Sequence, residues 1–212
     1  MIEHIILFGI STLFWSNLFY SFKQNYNVNN YTDYKLLRNK FSSTHAHGSI
    51  ITCSFGFINK FKLLPIFWSF GYFSYDLYLC LKKLFNKDIK EYKNITFAYV
   101  IHHLFSIIAI YFMSYKIYKD IIIKTLLIAE LSNLPSYYIY NYIGNNNENS
   151  IECKKIKLIQ LILYPFIRII IIGYIIYKNI NIIPKILFPG VFLIYSMGLI
   201  WSFKLCNKYF KK

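Results

Sequence analysis

Acidic side chains are scarce in this sequence: 9 of its 212 residues are Asp or Glu, against 24 Lys and Arg. Charge of either sign is also thin, at 16% of the chain, where a soluble domain carries about 25%. That shortage argues against an ordinary water-soluble domain. There is no soluble domain, no long linker and no internal repeat. The four cysteines, Cys53, Cys80, Cys153 and Cys206, form no CxxC pair and have no metal-type spacing with histidine. They are read as small apolar or incidental residues, and neither a disulfide framework nor a metal site is expected. Although the net charge is +15, no nucleic-acid-binding module is present and no nucleic-acid partner is expected.

What the chain does have is apolar residues, 56% of the total, with aromatics at 21%. They gather in blocks of about 20 residues, the length that spans a hydrocarbon core about 30 Å thick. The blocks are continuous and lack the period-two alternation of a lipid-facing strand, so the expectation is an all-α polytopic bundle, not a barrel. Seven spans are predicted, near 4–22, 43–59, 63–81, 95–115, 120–142, 157–177 and 186–206. The first lacks a positive leading region, since Glu3 and His4 precede it, and it reads as an uncleaved anchor. The organisation expected is an anchor and loop over 1–34, a membrane domain over 35–206 and a short basic tail over 207–212. The tract Asn145-Asn146-Asn147-Glu148-Asn149 reads as a solvated loop.

Orientation follows from the basic residues. The loops after spans one, three and five and the C-terminal end carry sixteen Lys and Arg, the other side six. The expected arrangement puts the C-terminus in the cytosol and the N-terminus on the lumenal or outer side. Attraction to anionic lipid of the cytosolic leaflet accounts for the basic balance. Two N-x-[ST] sequons, at Asn30 and Asn94, then fall on the cytosolic side and should stay unglycosylated.

Ionisable groups inside a span are costly and mark candidate sites. Asp76 lies in the third span about five residues before a cytosolic loop, and His102 and His103 lie in the fourth about seven after it. At 1.5 Å per residue their depths are about 8 and 11 Å, so carboxylate and imidazole can meet. Adjacent histidines point about 100° apart on a helix, so one of the two faces Asp76. His45 and His47 enter from the same side and can join them. A carboxylate beside an imidazole fixes its tautomer and raises its basicity, which suits a general base or nucleophile; the structural alternative is a hydrogen bond that pins two helices. Glu130 and Arg168, near the middle of the fifth and sixth spans, form a second expected pair. Glu130, Asn133 and Tyr137 share one helix face, and Pro135 is expected to free a carbonyl near Leu131.

At these residues the sequence resembles the TLC-domain family, named for the TRAM, Lag and CLN proteins. Gly71-Tyr72-Phe73-Ser74-Tyr75-Asp76-Leu77 resembles its G-Y-F-x-x-D-L block, and Ile101-His102-His103-Leu104 its central H-H motif. Glu130-Leu131-Ser132-Asn133 resembles the E-x-S-[TN] element, Arg38 with Ser43-Thr44-His45-Ala46-His47 the opening motif, and Phe166-Ile167-Arg168 the F-x-R of the next helix. These five blocks stand in family order across about 35–206.

The resemblance implies six to eight membrane helices around a lipid-accessible cavity, in the endoplasmic reticulum. Ceramide synthases of the family use the H-H motif to transfer an acyl group from acyl-CoA to a sphingoid base. Other members act in lipid balance, membrane composition or cargo export. The synthase branch carries R-x-G and then H-D-x-x-D after H-H; here Ala129-Glu130-Leu131-Ser132-Asn133 keeps one carboxylate. The chain therefore looks closer to the lipid-homeostasis branch, with ceramide-synthase-like acyl transfer and cargo handling or transport as alternatives. In an enzyme His102, His103 and Asp76 would be catalytic, while His45, His47, Glu130, Asn133 and Arg168 would line a lipid site. Membrane lipids are the expected partners, joined by acyl-CoA in the acyl-transfer reading. No metal or cofactor is expected, and the oligomeric state stays open.

Overall fold

The computed structural model of the chain describes residues 2–27, 31–58, 61–85, 93–114 and 118–210. The sequon residue Asn30, the side chain of Asn94, and Lys60, Lys87, Lys90, Lys116, Lys211 and Lys212 of the charge count lie outside the described residues.

Seven long helices account for nearly all of the described chain, and no strand is found among the described residues. They are α1 (Ile2–Lys23), α2 (Tyr31–Gly56), α3 (Leu63–Phe85), α4 (Lys93–Met113), α5 (Lys119–Gly144), α6 (Ile151–Asn179) and α7 (Phe188–Phe210). All seven coincide with the expected spans, and the Asn-rich tract after α5 is an exposed turn. Two starts differ. Helix α2 begins at Tyr31, not near 43, because its extra turns bury Leu37 and Phe41 completely. Asp33 in its first turn also complements the positive helix terminus. Helix α6 begins at Ile151, where Ser150 caps it by accepting from the Cys153 amide at 3.1 Å.

Three helical stretches are long and apolar enough to cross a bilayer, His4–Lys23, Ile151–Asn179 and Lys185–Phe210, and α4 adds a shorter apolar run, Phe97–Phe112. They expose large apolar side chains such as Leu13, Ile170 and Phe203, as a lipid-facing surface requires. Helices α2, α3 and α5 are less apolar because they carry the buried polar groups of the interior: His45, Ser49, Ser69, Asp76, Glu130 and Ser132.

Packing places six helices in a closed ring, in the order α2, α3, α4, α7, α6, α5 and back to α2, with α1 outside against α3 and α2. Lipid supplies no hydrophobic drive between helices, so close approach and hydrogen bonds must hold the seam. At the α1–α3 seam Ser11 Oγ donates to Phe67 O at 2.5 Å, and Trp15 Nε1 to Trp68 O at 2.9 Å. Gly71 sits there for a steric reason. A Cβ at that position would lie 2.6 Å from the Ser11 carbonyl carbon, so a side chain would force α1 away. Trp15, fully buried, packs edge-on against Phe41, Trp68 and Tyr72. This aromatic wedge fixes α2 and α3, the two helices that carry most of the first polar cluster.

Candidate functional site

Asp76, 2% exposed, stands two turns before the end of α3 and is the centre of the first cluster. Arg38 of α2 reaches it with one nitrogen, Nη2, at 2.6 Å from Oδ1 and 2.7 Å from Oδ2, the latter aligned as a hydrogen bond. His103 of α4 brings Nε2 to 2.7 Å from Oδ2. The contact is short, but its geometry is not that of a directed hydrogen bond. The histidine expected to face Asp76 from this pair is thus His103. Its Nδ1 and the Nδ1 of His102 are both buried without a hydrogen-bond partner among the described residues. A buried unsatisfied polar atom costs about 1–3 kcal/mol.

Three residues were expected elsewhere. Arg38 was counted with the first loop; the early start of α2 puts it on a helix face, and it is the cation that neutralises Asp76. His45 does not join Asp76: it is 1% exposed, stacks on Tyr72 with ring centroids 3.9 Å apart, and its Nε2 sits 3.0 Å from Ser49 Oγ and 3.3 Å from Ser69 Oγ. Its Nδ1 lies 3.7 Å from Glu130 Oε1. His47 does not join either. Two residues on, about 200° around the helix, it faces outward, 2.7 Å from Ser43 O and 3.3 Å from Tyr138 Oη.

The second cluster also departs from expectation. Arg168 makes no direct ion pair with Glu130; Asn133 stands between them. Arg168 donates from Nε to Ser132 Oγ at 2.9 Å and from Nη2 to Asn133 Oδ1 at 3.0 Å and Ala129 O at 3.1 Å. Asn133 Nδ2 in turn donates to Glu130 Oε2 at 3.1 Å. The main-chain acceptor for Arg168 is the Ala129 carbonyl. Arg168 can reach this side because α6 is locally a π-helix over Phe166–Ile171. Pro165, with no N–H to give the ladder, starts that segment, and such bulges commonly mark functional positions. On the other flank Gly198 of α7 backs the Arg168 stem, which would be in ordinary van der Waals contact, 3.5 Å, with a Cβ there.

Asp76, Cys80 and His103 hold an oxygen, a sulfur and a nitrogen within 4.8 Å of one another. The Arg38 guanidinium, however, touches both Asp76 oxygens and lies 3.7 Å from Cys80 Sγ. It occupies the position a cation would need. Ser49 and Ser69, both fully buried, carry no motif in the sequence that marks them. Hydroxyls are common enough in spans that only their partners distinguish them.

A closed ring of membrane-length helices with two charged clusters inside defines an integral membrane protein built around a polar interior. Within that class, the TLC domain profile matches residues 3–208, and the chain belongs to the TLC-domain family. Neither the curated proteins nor the solved structures give a match to it.

Proposed function

We propose that this protein acts in membrane lipid homeostasis, with the interior at Asp76, His102 and His103 holding the polar group of a lipid. The observation that carries this reading is the pair of buried, unpartnered imidazole nitrogens beside a neutralised carboxylate. A lipid hydroxyl, amide or carbonyl entering between the helices supplies the missing partner, while its chains stay in hydrocarbon. Family membership supports lipid as the ligand class. The lipid-balance branch fits the second cluster, where Glu130 is engaged by Asn133, and Arg168 by neutral acceptors and Asn133, leaving one carboxylate where the synthases carry more.

Acyl transfer is the second reading, and the 2.7 Å approach of His103 to Asp76 favours it. There His103 takes the proton from the amine of a sphingoid base as nitrogen attacks the acyl-CoA carbonyl. The amide bond forms, the thioester C–S bond breaks, the proton passes from His103 to the departing sulfur so that CoA leaves as the free thiol, and Asp76 orients the ring.

Purified protein given long-chain base and a panel of acyl-CoAs, beside His102→Ala and His103→Ala, separates the two. The homeostasis reading expects no turnover and a co-purified lipid that is lost in His103→Ala. Turnover that vanishes in the variants would establish the second reading instead. The endoplasmic reticulum is the proposed location, with the N-terminus lumenal, and a glycan on Asn30 in a competent host would invert that orientation.

A further inference from the structure

The outer face of α2 carries a groove that the interior clusters do not use. It is an open groove of about 650 Å³ that runs from Lys40 to Gly48, with Asn141 and Asn145 of α5 and Trp68 of α3 also lining it. That volume is ordinary for a small-molecule site. The body of α2 separates it from the interior, because His45 and Ser49 are buried on the inward side while His47 and Lys40 are exposed on the outward side.

Its chemistry is graded along its length. Around Lys40 it mixes donors with the side chains of Leu36 and Tyr26, and no carboxylate lines it. Lys40 Nζ lies 4.8 Å above the Phe22 ring, held at the rim. Asn141 spends its Oδ1 on Asn39 Nδ2 at 2.9 Å, which leaves its own amide hydrogens for a ligand. Asn145 follows one turn later, at the end of α5, and is exposed. His47 is oriented by the same logic. Ser43 O can only accept, so Nδ1 carries the hydrogen in the 2.7 Å contact. Eight residues further along α2, about 12 Å deeper, the groove ends on Gly48 and the Trp68 indole. A Cβ on Gly48 would collide with that indole, so the bare backbone is what lets Trp68 form the apolar end.

We propose that this groove is a binding site for a phospholipid with an anionic headgroup, drawn from the leaflet in which α2 begins. The headgroup lies against Lys40, Asn141 and Asn145 where α5 leaves the membrane, and an acyl chain lies against Gly48 and Trp68. Charge complementarity carries the choice: a cation and amide donors with no acidic wall select a negative head, and the apolar far end selects a lipid over a soluble anion.

The test uses the full chain, purified in detergent and equilibrated with equimolar phosphatidylserine and phosphatidylcholine, with bound lipid quantified by mass spectrometry. Phosphatidylserine should be retained about tenfold over phosphatidylcholine, the scale of one charge-assisted contact. Lys40→Gln combined with Asn145→Ala should bring the ratio near one without changing the unfolding temperature, and Lys40→Arg should preserve it. Lys35→Gln, five residues away on the same helix, should leave the ratio unchanged. Equal retention of the two lipids by the wild-type chain overturns the proposal. So does an equal loss in Lys35→Gln, which would mean diffuse surface charge. Displacement by soluble glycerophosphoserine also overturns it, since the apolar end would then add nothing.

Discussion

The two interior clusters each hold one arginine and one carboxylate, and they solve the same electrostatic problem in opposite ways. At Asp76 the guanidinium of Arg38 touches the carboxylate directly and an imidazole closes on the other side. At Glu130 the charges are kept apart, and Asn133 relays between them through one hydrogen bond to each. The first arrangement concentrates charge and leaves the Nδ1 atoms of His102 and His103 without hydrogen-bond partners among the described residues. The second spreads Arg168 over a hydroxyl, an amide and a backbone carbonyl. Direct pairing with unfilled bonding capacity suits a site that receives something. Sharing of Arg168 among neutral acceptors, with Asn133 bonded to both charges, suits a joint between α5 and α6.

The contrast can be broken by substitution, and the effects should rank. Arg38→Met removes the only guanidinium on a carboxylate that is 2% exposed. It should cost about 3–5 kcal/mol, as stranding one partner of a buried pair does, read as a large drop in thermal unfolding temperature in detergent. Arg168→Met should cost less, about 2–3 kcal/mol, because the Ser132, Asn133 and Ala129 acceptors it abandons are neutral. Glu130→Gln should be the mildest, under about 1 kcal/mol, since the amide oxygen can still accept from Asn133. A double-mutant cycle on Glu130 and Arg168 should give a coupling well below that of Asp76 and Arg38. A Glu130→Gln penalty as large as that of Arg38→Met would show a direct ion pair there and end the distinction.

Much of this was legible beforehand. Seven helices follow from seven apolar blocks, because a backbone in hydrocarbon must satisfy its own hydrogen bonds and a continuous run does so only as a helix. Asp76 and the adjacent histidines could be matched by depth, since rise per residue is fixed. Rotation about each helix axis was less accessible. Which of His102 and His103 faces Asp76, and which of His45 and His47 turns inward, depend on the neighbours that the Trp15–Phe41–Tyr72 wedge sets in place.

Arg38 shows the boundary most plainly. Its charge and position suggested a loop, since an isolated arginine is costly in a span. Only the pairing of α2 with α3 removes that cost, and a contact between residues 38 positions apart leaves no mark on local composition. Arg168 and Glu130 are the converse: their charges and depths suggested a direct pair, and the π segment after Pro165 together with Asn133 put other acceptors in the way. Sequence alone determined the membrane class and the number of long helices, because both depend on local composition and helix geometry. The tertiary structure decided which charge meets which and the ring order around the interior, because these depend on contacts between helices distant in the chain.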